Sequence, residues 1–471
     1  EAQALGAGSV LADEPEPFLR QALSPADGVT VSGESPLALV SDHGAQYFDL
    51  IELSDNFLNA DPADVTAFTA GAIARYYGAL TRDGMISIPV SIRDFPVYAL
   101  RMLATVRAGL LDAGVTDPGA HVIAYRSAWN VRILIAKSPF NAAQIKTVRK
   151  FCDDRSFDVS YFPGIDVAAL RDDIYNDLPA ISFSKGEVES GANADDSIAD
   201  EAVAVMQGRP TDSAREFDLR PATLDRPLFF DILRLDHLGT ILKRMEILPQ
   251  QELGPLINIA VLVQAVVIAL IVLLLPLAAP KRIGRGRAPL SRALLYFPAL
   301  GLGYLFIEIA LIGEASLYLD DVTTAFALVL SGMLIFSGLG SMAASRVRLR
   351  AAWFVIAALL VITLLALPSV MLATLGWPLP VRLAVLLVLI APLSLALGMP
   401  FSMGLGEAAK AGAGFLPWAW ALNGAFSVIA TPLANLIAIE LGLRWLILLA
   451  LLLYGLAWIS FPQAESRPAT S

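Results

Sequence analysis

The chain has 471 residues, 56% of them hydrophobic, and a formal net charge of −10, against the roughly 45–50% apolar usage of an ordinary soluble domain. Residues 253–462 hold 11 Lys or Arg and 6 Asp or Glu, a surplus of five positive charges that leaves −15 on the residues before them. An acidic domain of that kind is not drawn to nucleic acid or to anionic lipid by its overall field.

Cys152 is the only cysteine, which excludes intrachain disulfides, CxxC metal sites and redox pairs, and His43, His121 and His237 stand singly. No metal site is therefore expected. Residues 1–252 contain no GxSxG elbow, HExxH or Walker-type loop, which removes the commonest hydrolase and ATPase chemistries.

From the N-terminus, Val29-Thr-Val-Ser32 follows the turn Ser24-Pro-Ala-Asp-Gly28 and predicts a strand, as does Phe48-Asp-Leu-Ile-Glu-Leu53. Apolar spacing over residues 65–80 predicts an amphipathic helix that closes at Thr81-Arg-Asp-Gly84 and leads into the strand Met85-Ile-Ser-Ile-Pro89. A second helix is expected over 95–113. Residues 121–126 and 131–136, separated by Ser127-Ala-Trp-Asn130, read as an antiparallel hairpin. Strands alternating with helices imply a mostly parallel, doubly wound sheet with an antiparallel edge hairpin.

Val29-Thr-Val-Ser-Gly-Glu34, Phe48-Asp-Leu-Ile51 and Leu80-Thr-Arg-Asp-Gly-Met-Ile-Ser-Ile88, followed by that hairpin, resemble the later part of a class I S-adenosylmethionine-dependent methyltransferase fold in its spermidine-synthase-like branch. Leu224-Asp-Arg-Pro-Leu-Phe-Phe230 resembles the junction of bacterial proteins in which such a domain is fused to a membrane unit. The resemblance implies a Rossmann-like α/β domain over 1–183 that binds S-adenosylmethionine or its decarboxylated form where the strand order switches. By position Glu1 matches the ribose-binding acid and Glu34 the adenine-side acid. The glycine loop of such folds would precede Glu1, so the chain is expected to be a fragment without its first strand.

The family's proton-accepting aspartate would follow the fourth strand. Ser54 occupies that slot and Asp55 comes one residue later, so Asp55 is the candidate base and Ser54 a cofactor-side residue. A shift of one residue at a strand end turns a side chain to the other face, which puts ordinary aminopropyl transfer in doubt.

Residues 184–216 are acidic and poor in aromatics, which predicts a flexible insertion with a short helix over 197–207. Residues 217–252 form the junction, where Arg234, Lys243 and Arg244 among bulky apolar residues suit an interfacial helix or a core helix of the soluble domain. Residues 253–462 predict an all-α transmembrane domain of about seven helices, over 256–279, 294–312, 323–342, 352–375, 381–403, 416–439 and 443–461, with a tail at 463–471.

Lys281, Arg282, Arg285, Arg287 and Arg292 fill the first loop and Arg346, Arg348 and Arg350 the third, while Glu314, Asp320 and Asp321 fall at the second. The positive-inside rule then places loops one and three in the cytoplasm, so either the soluble domain faces the other side, away from S-adenosylmethionine, or one of the spans is re-entrant or miscounted and the side of the domain stays open. Within the spans, Glu308 is an acid in an apolar segment and marks a proton or substrate path or a buried structural contact. Ser337-Gly-Leu-Gly-Ser341 offers small residues for close helix approach and Gly398-Met-Pro-Phe-Ser-Met-Gly404 a kink, while Asn423, on a face with Ser427 and Trp420, is with Glu308 a candidate polar site within the membrane or else a helix-packing contact.

Two functions follow. One is a membrane-tethered transferase, of methyl or aminopropyl groups, acting on a small-molecule or lipid acceptor in a bacterial inner membrane. The other is a transporter or lipid-handling protein whose attached domain has lost catalysis and senses a nucleoside-like ligand.

Overall fold

A computed structural model describes residues 3, 6–14, 17–22, 28–53, 67–170, 174–178, 180–182, 187–189, 196–243, 245, 248–277, 290–411 and 416–462. The chain divides into two compact units, Glu1–Leu253 and Gly254–Ser471.

The first unit runs β1 (Val10–Asp13), α1 (Pro17–Ala22), β2 (Val29–Ser32), α2 (Pro36–His43), β3 (Phe48–Glu52), α3 (Ala70–Ala79), β4 (Leu80–Ser91), α4 (Val97–Asp112), β5 (Val122–Arg126) and β6 (Asn130–Ala136). It continues with α5 (Ala142–Asp153), β7 (Asp158–Tyr161), α6 (Val167–Leu170), β8 (Ala180–Ser182), β9 (Glu187–Glu189), α7 (Ser197–Gln207), α8 (Ser213–Glu216) and α9 (Leu238–Ile241).

The main sheet has the order β3-β4-β6-β5-β7. Only β3 and β4 are parallel; β4–β6, β6–β5 and β5–β7 are antiparallel. The expected mostly parallel sheet is thus corrected to a mixed one. Two features cause it: β7 adds a third antiparallel pairing outside the hairpin, and the parallel pair β1–β2 forms a separate two-stranded sheet. β4 lies inside the sheet and is buried without interruption over residues 86–90, Ser87 and Pro89 as well as Ile86, Ile88 and Val90, as a strand covered on both faces is. Its Pro89 pairs with Arg132 on the β6 side and has no N–H to extend the β3 ladder past Ser87.

Helix α4 is buried along nearly its whole length, and Gly109 is where it meets α3. A Cβ there would lie 2.7 Å from the Ala70 carbonyl, so only glycine permits this approach. Helix α7 begins at the N-cap Asp196, ends at Gly208 in the left-handed region (φ 70°), and buries Ile198, Ala202, Val205 and Met206. Between 228 and 248, α-helix is confined to α9 among the described residues.

The remaining helices are α10 (Leu253–Leu277), α11 (Leu290–Leu319), α12 (Val322–Ala343), α13 (Leu349–Ala373), α14 (Leu379–Leu397), α15 (Met399–Ala411), α16 (Leu416–Glu440) and α17 (Leu443–Ile459). Six stretches among the described residues are long and apolar enough to cross a membrane, with α14 and α15 together making one of them, Leu379–Lys410. The seventh apolar segment forms α17, whose 17 residues rise about 26 Å, short of the roughly 30 Å hydrocarbon core.

Helix α11 is central to this unit, packing against α12, α16 and α17. Outward positions elsewhere are apolar: Phe354 is 76% exposed and Val388 72%. A surface of this kind is stable against lipid and not against water, so the second unit has the character of a membrane protein. Close helix approach depends on two glycines facing each other's neighbours across α12 and α14. A Cβ on Gly340 would collide with the Leu395 carbonyl, and one on Gly398 with the Ser337 carbonyl. Asp321 caps α12, accepting from Thr323 N–H at 2.8 Å.

Candidate functional site

Of the residues that the sequence nominates for the cofactor, Glu1, Ser54 and Asp55 lie outside the described residues. Glu34 lies in the short turn between β2 and α2, just before the N-cap Ser35, half-buried, with its backbone N–H donating to Ser32 Oγ at 3.2 Å. Its carboxylate makes no hydrogen bond or ion pair with any described residue. One acid alone outlines no nucleoside pocket.

The second unit does contain a cavity, of about 270 Å³, assembled from α11, α12, the α14–α15 turn, α15, α16 and α17. Its polar lining consists of Tyr304, Ser337, Ser341, Ser402, Asn423, Ser427 and Tyr454. Several of these atoms are already engaged. Tyr304 OH lies 3.3 Å from Ser337 Oγ, Ser341 and Ser402 bond hydroxyl to hydroxyl, and Asn423 Nδ2 donates to the Phe297 carbonyl at 3.2 Å. The helices reach one another here through Gly301, where a Cβ would lie 2.5 Å from the Asn423 carbonyl.

Asn423 thus lines the cavity, whereas Glu308 does not. Glu308 sits one turn along α11 from Tyr304, 9% exposed, with no hydrogen bond or ion pair to any described residue. Farther along, Arg382 near the start of α14 is 2% exposed and donates from Nη1 to the Tyr318 carbonyl at 2.8 Å, placing a cation at the C-terminal end of α11.

Two clusters of buried charge in the first unit escaped the sequence reading. In one, the fully buried Arg126 donates from Nε to Asp196 Oδ2 (2.7 Å) and from Nη2 to the Asn176 carbonyl (2.6 Å), with Nη1 3.3 Å from Asp158 Oδ2. Ser160 Oγ donates to the same Asp196 oxygen at 3.0 Å, and Asp158 accepts the N–H groups of Tyr175 and Asn176. This network ties β5 and β7 to the N-terminus of α7.

In the other, Tyr98 OH donates to Glu252 Oε1 at 2.9 Å and Ile232 N–H to Oε2 at 3.1 Å. Arg101 donates to the carbonyls of Arg220, Leu228 and Asp231. Burial, reinforced by Asp231, pushes the Glu252 carboxyl up to about 8, and burial pushes Asp231 up to about 6. Burial also raises Tyr98 well above the usual phenol range and lowers Arg101. Both clusters tie together segments far apart in the chain through these bonds, so both are read as holding the chain in place. The sequence signal for them was an Arg at the end of an apolar strand and an Arg inside an apolar helix, positions where an unpaired cation would be costly.

Compared with protein-family models, with curated proteins and with solved structures, the chain matches none.

Proposed function

We propose that the chain is a membrane protein that binds a small molecule or lipid within its helical unit, as a transporter or lipid-handling protein, with the sheet domain as an attached sensing module. The observation that carries this reading is the 270 Å³ cavity lined by hydroxyl groups and one amide at the junction of six helices. Polar groups inside an apolar bundle are costly unless they bond to each other, to water or to a ligand, and here only part of them bond to each other.

Gly338 supplies the test. It lines the cavity, and a Cβ there meets nothing within 4 Å, so Gly338→Leu fills the space without displacing a neighbour's backbone. Native mass spectrometry of the full chain taken from membranes in nanodiscs should reveal a bound small molecule on the wild type and none on Gly338→Leu. Equal occupancy on the two proteins, or none on either, removes the reading.

A second reading, the S-adenosyl-dependent transferase acting on a membrane-associated acceptor in a bacterial inner membrane, is favoured by one observation. β3 and β4 are parallel with α3 between them, and an antiparallel strand follows beside β4, an arrangement compatible with a methyltransferase-type sheet. Titration calorimetry of the full chain with S-adenosylmethionine and with its decarboxylated form tests it, and no heat from either retires it. The side of the membrane is the other test. Cys152 is buried and its thiol is pushed up to about 12, chiefly by burial, so Lys150→Cys on the exposed face of α5 is the better label. Labelling of Lys150→Cys by a membrane-impermeant reagent in intact cells would contradict a cytoplasmic transferase.

A further inference from the structure

We infer that the cavity of the helical unit takes an uncharged ligand that combines hydroxyl or carbonyl groups with a hydrocarbon portion. This rests on the reading above and names the chemistry of the same site.

The first ground is what the wall lacks. None of its residues is Asp, Glu, Lys, Arg or His, and a charged group entering an apolar bundle without a counter-ion is strongly disfavoured. Glu308, the nearest acid along α11, is outside the lining.

The second ground is what the wall leaves open. Tyr454 is only 3% exposed, yet its hydroxyl bonds to no described residue. Ser427 Oγ, half-buried, likewise bonds to no described residue, and Asn423, having committed Nδ2 to the Phe297 carbonyl, keeps Oδ1 as an acceptor. Tyr454 and Ser427 can donate and Ser427 and Asn423 can accept, the complement of a hydroxyl or carbonyl group. The rest of the wall includes Leu300, Leu305, Leu334 and Leu397, which suit hydrocarbon. At roughly 30 Å³ per water the space holds about nine waters, the scale of a single sugar-like head group.

The experiment compares three probes with one tail, octyl glucoside, octylammonium and octyl phosphate, each below its micelle concentration, on the full chain in nanodiscs. Specific binding is the part lost in Gly338→Leu, which subtracts partition into lipid. The inference predicts specific binding of octyl glucoside, at least tenfold weaker binding of both charged probes, and a five- to tenfold loss with Tyr454→Phe. Because the Tyr454 hydroxyl has no partner to lose among the described residues, that variant keeps the fold if Gly338→Leu does not. Methyl glucoside separates the sources: binding equal to octyl glucoside marks a free solute, and much weaker binding a lipid-like one. If a charged probe binds as well as octyl glucoside and is lost in Gly338→Leu, the neutral class is overturned and the ligand cavity stands. If no probe responds to Gly338→Leu or Tyr454→Phe, both fall.

Discussion

The two units differ in how their most deeply placed polar clusters are bonded. In the sheet unit Arg126 is 0% exposed and Glu252 0%, yet each is bonded to named protein partners. In the helical unit Tyr454, Ser427 and Glu308 are wholly or partly withdrawn from solvent and bond to no described residue. Satisfied buried charge fixes a fold, whereas unsatisfied buried hydroxyls beside a cavity leave capacity for a ligand. The contrast is the ground for placing the proposed ligand site in the helices.

The largest effect should come from breaking a satisfied cluster. Arg126→Met leaves Asp158 and Asp196 buried without their cation and should cost about 3–5 kcal/mol. Hydrogen exchange of β5, β7 and α7 would register it, and unchanged protection in all three would show that the network is dispensable.

The Glu252 cluster yields a pH effect of defined sign. The folded state holds this acid up to about 8 against an ordinary 4.5, so it favours the neutral form. Its contribution to stability is complete below about 4.5 and is lost as pH rises through about 8; Asp231, held up to about 6 against 3.8, adds to the lower part of that slope. The total is on the order of a few kcal/mol. Glu252→Gln should flatten the profile between pH 5 and 8, its Oε1 still accepting from the Ile232 N–H and its Nε2 donating to the Tyr98 hydroxyl, which turns to accept. A slope identical to that of the wild type would assign the dependence elsewhere.

In the helical unit, by contrast, packing is the sensitive quantity. Gly398→Val places atoms against the Ser337 carbonyl and should cost ~1–3 kcal/mol of stability, read as a lower melting temperature in detergent. Gly338→Ala, with open space at its Cβ, should leave the melting temperature unchanged. The smallest effect is at the surface. Asp212→Asn removes an ion pair to Arg215 whose side chains are 88% and 81% exposed, and unfolding should shift by no more than ~0.5 kcal/mol.

What was legible in the sequence was whatever repeats locally. The apolar helices announce themselves by length, and the hairpin of β5 and β6 by its β-branched runs around Ser127-Ala-Trp-Asn130. Two things were not legible. The pairing of Arg126 with Asp196 joins residues 70 apart, and nothing local at either position names the other. The cavity draws on α11, α12 and α14 to α17, so Ser337 and Ser341, read as surfaces for helix approach, are also lining residues beside Asn423, a double role visible only once the helices are brought together. β7 was missed for a related reason: Asp158-Val-Ser-Tyr161 is four residues long, too short for alternation to stand out.

The most direct test of the account is thiol accessibility in native membranes. Cys152, buried and with its thiol pushed up to about 12, supplies a silent background. Ser427→Cys in the cavity should react with a small neutral methanethiosulfonate, because the cavity admits water and small ligands, and Gly338→Leu should slow that reaction. Val388→Cys, 72% exposed on the outer apolar face, should not react, because no water reaches a thiol within hydrocarbon. Fast labelling of Val388→Cys with a protected Ser427→Cys would contradict both the bilayer-facing surface and the ligand cavity.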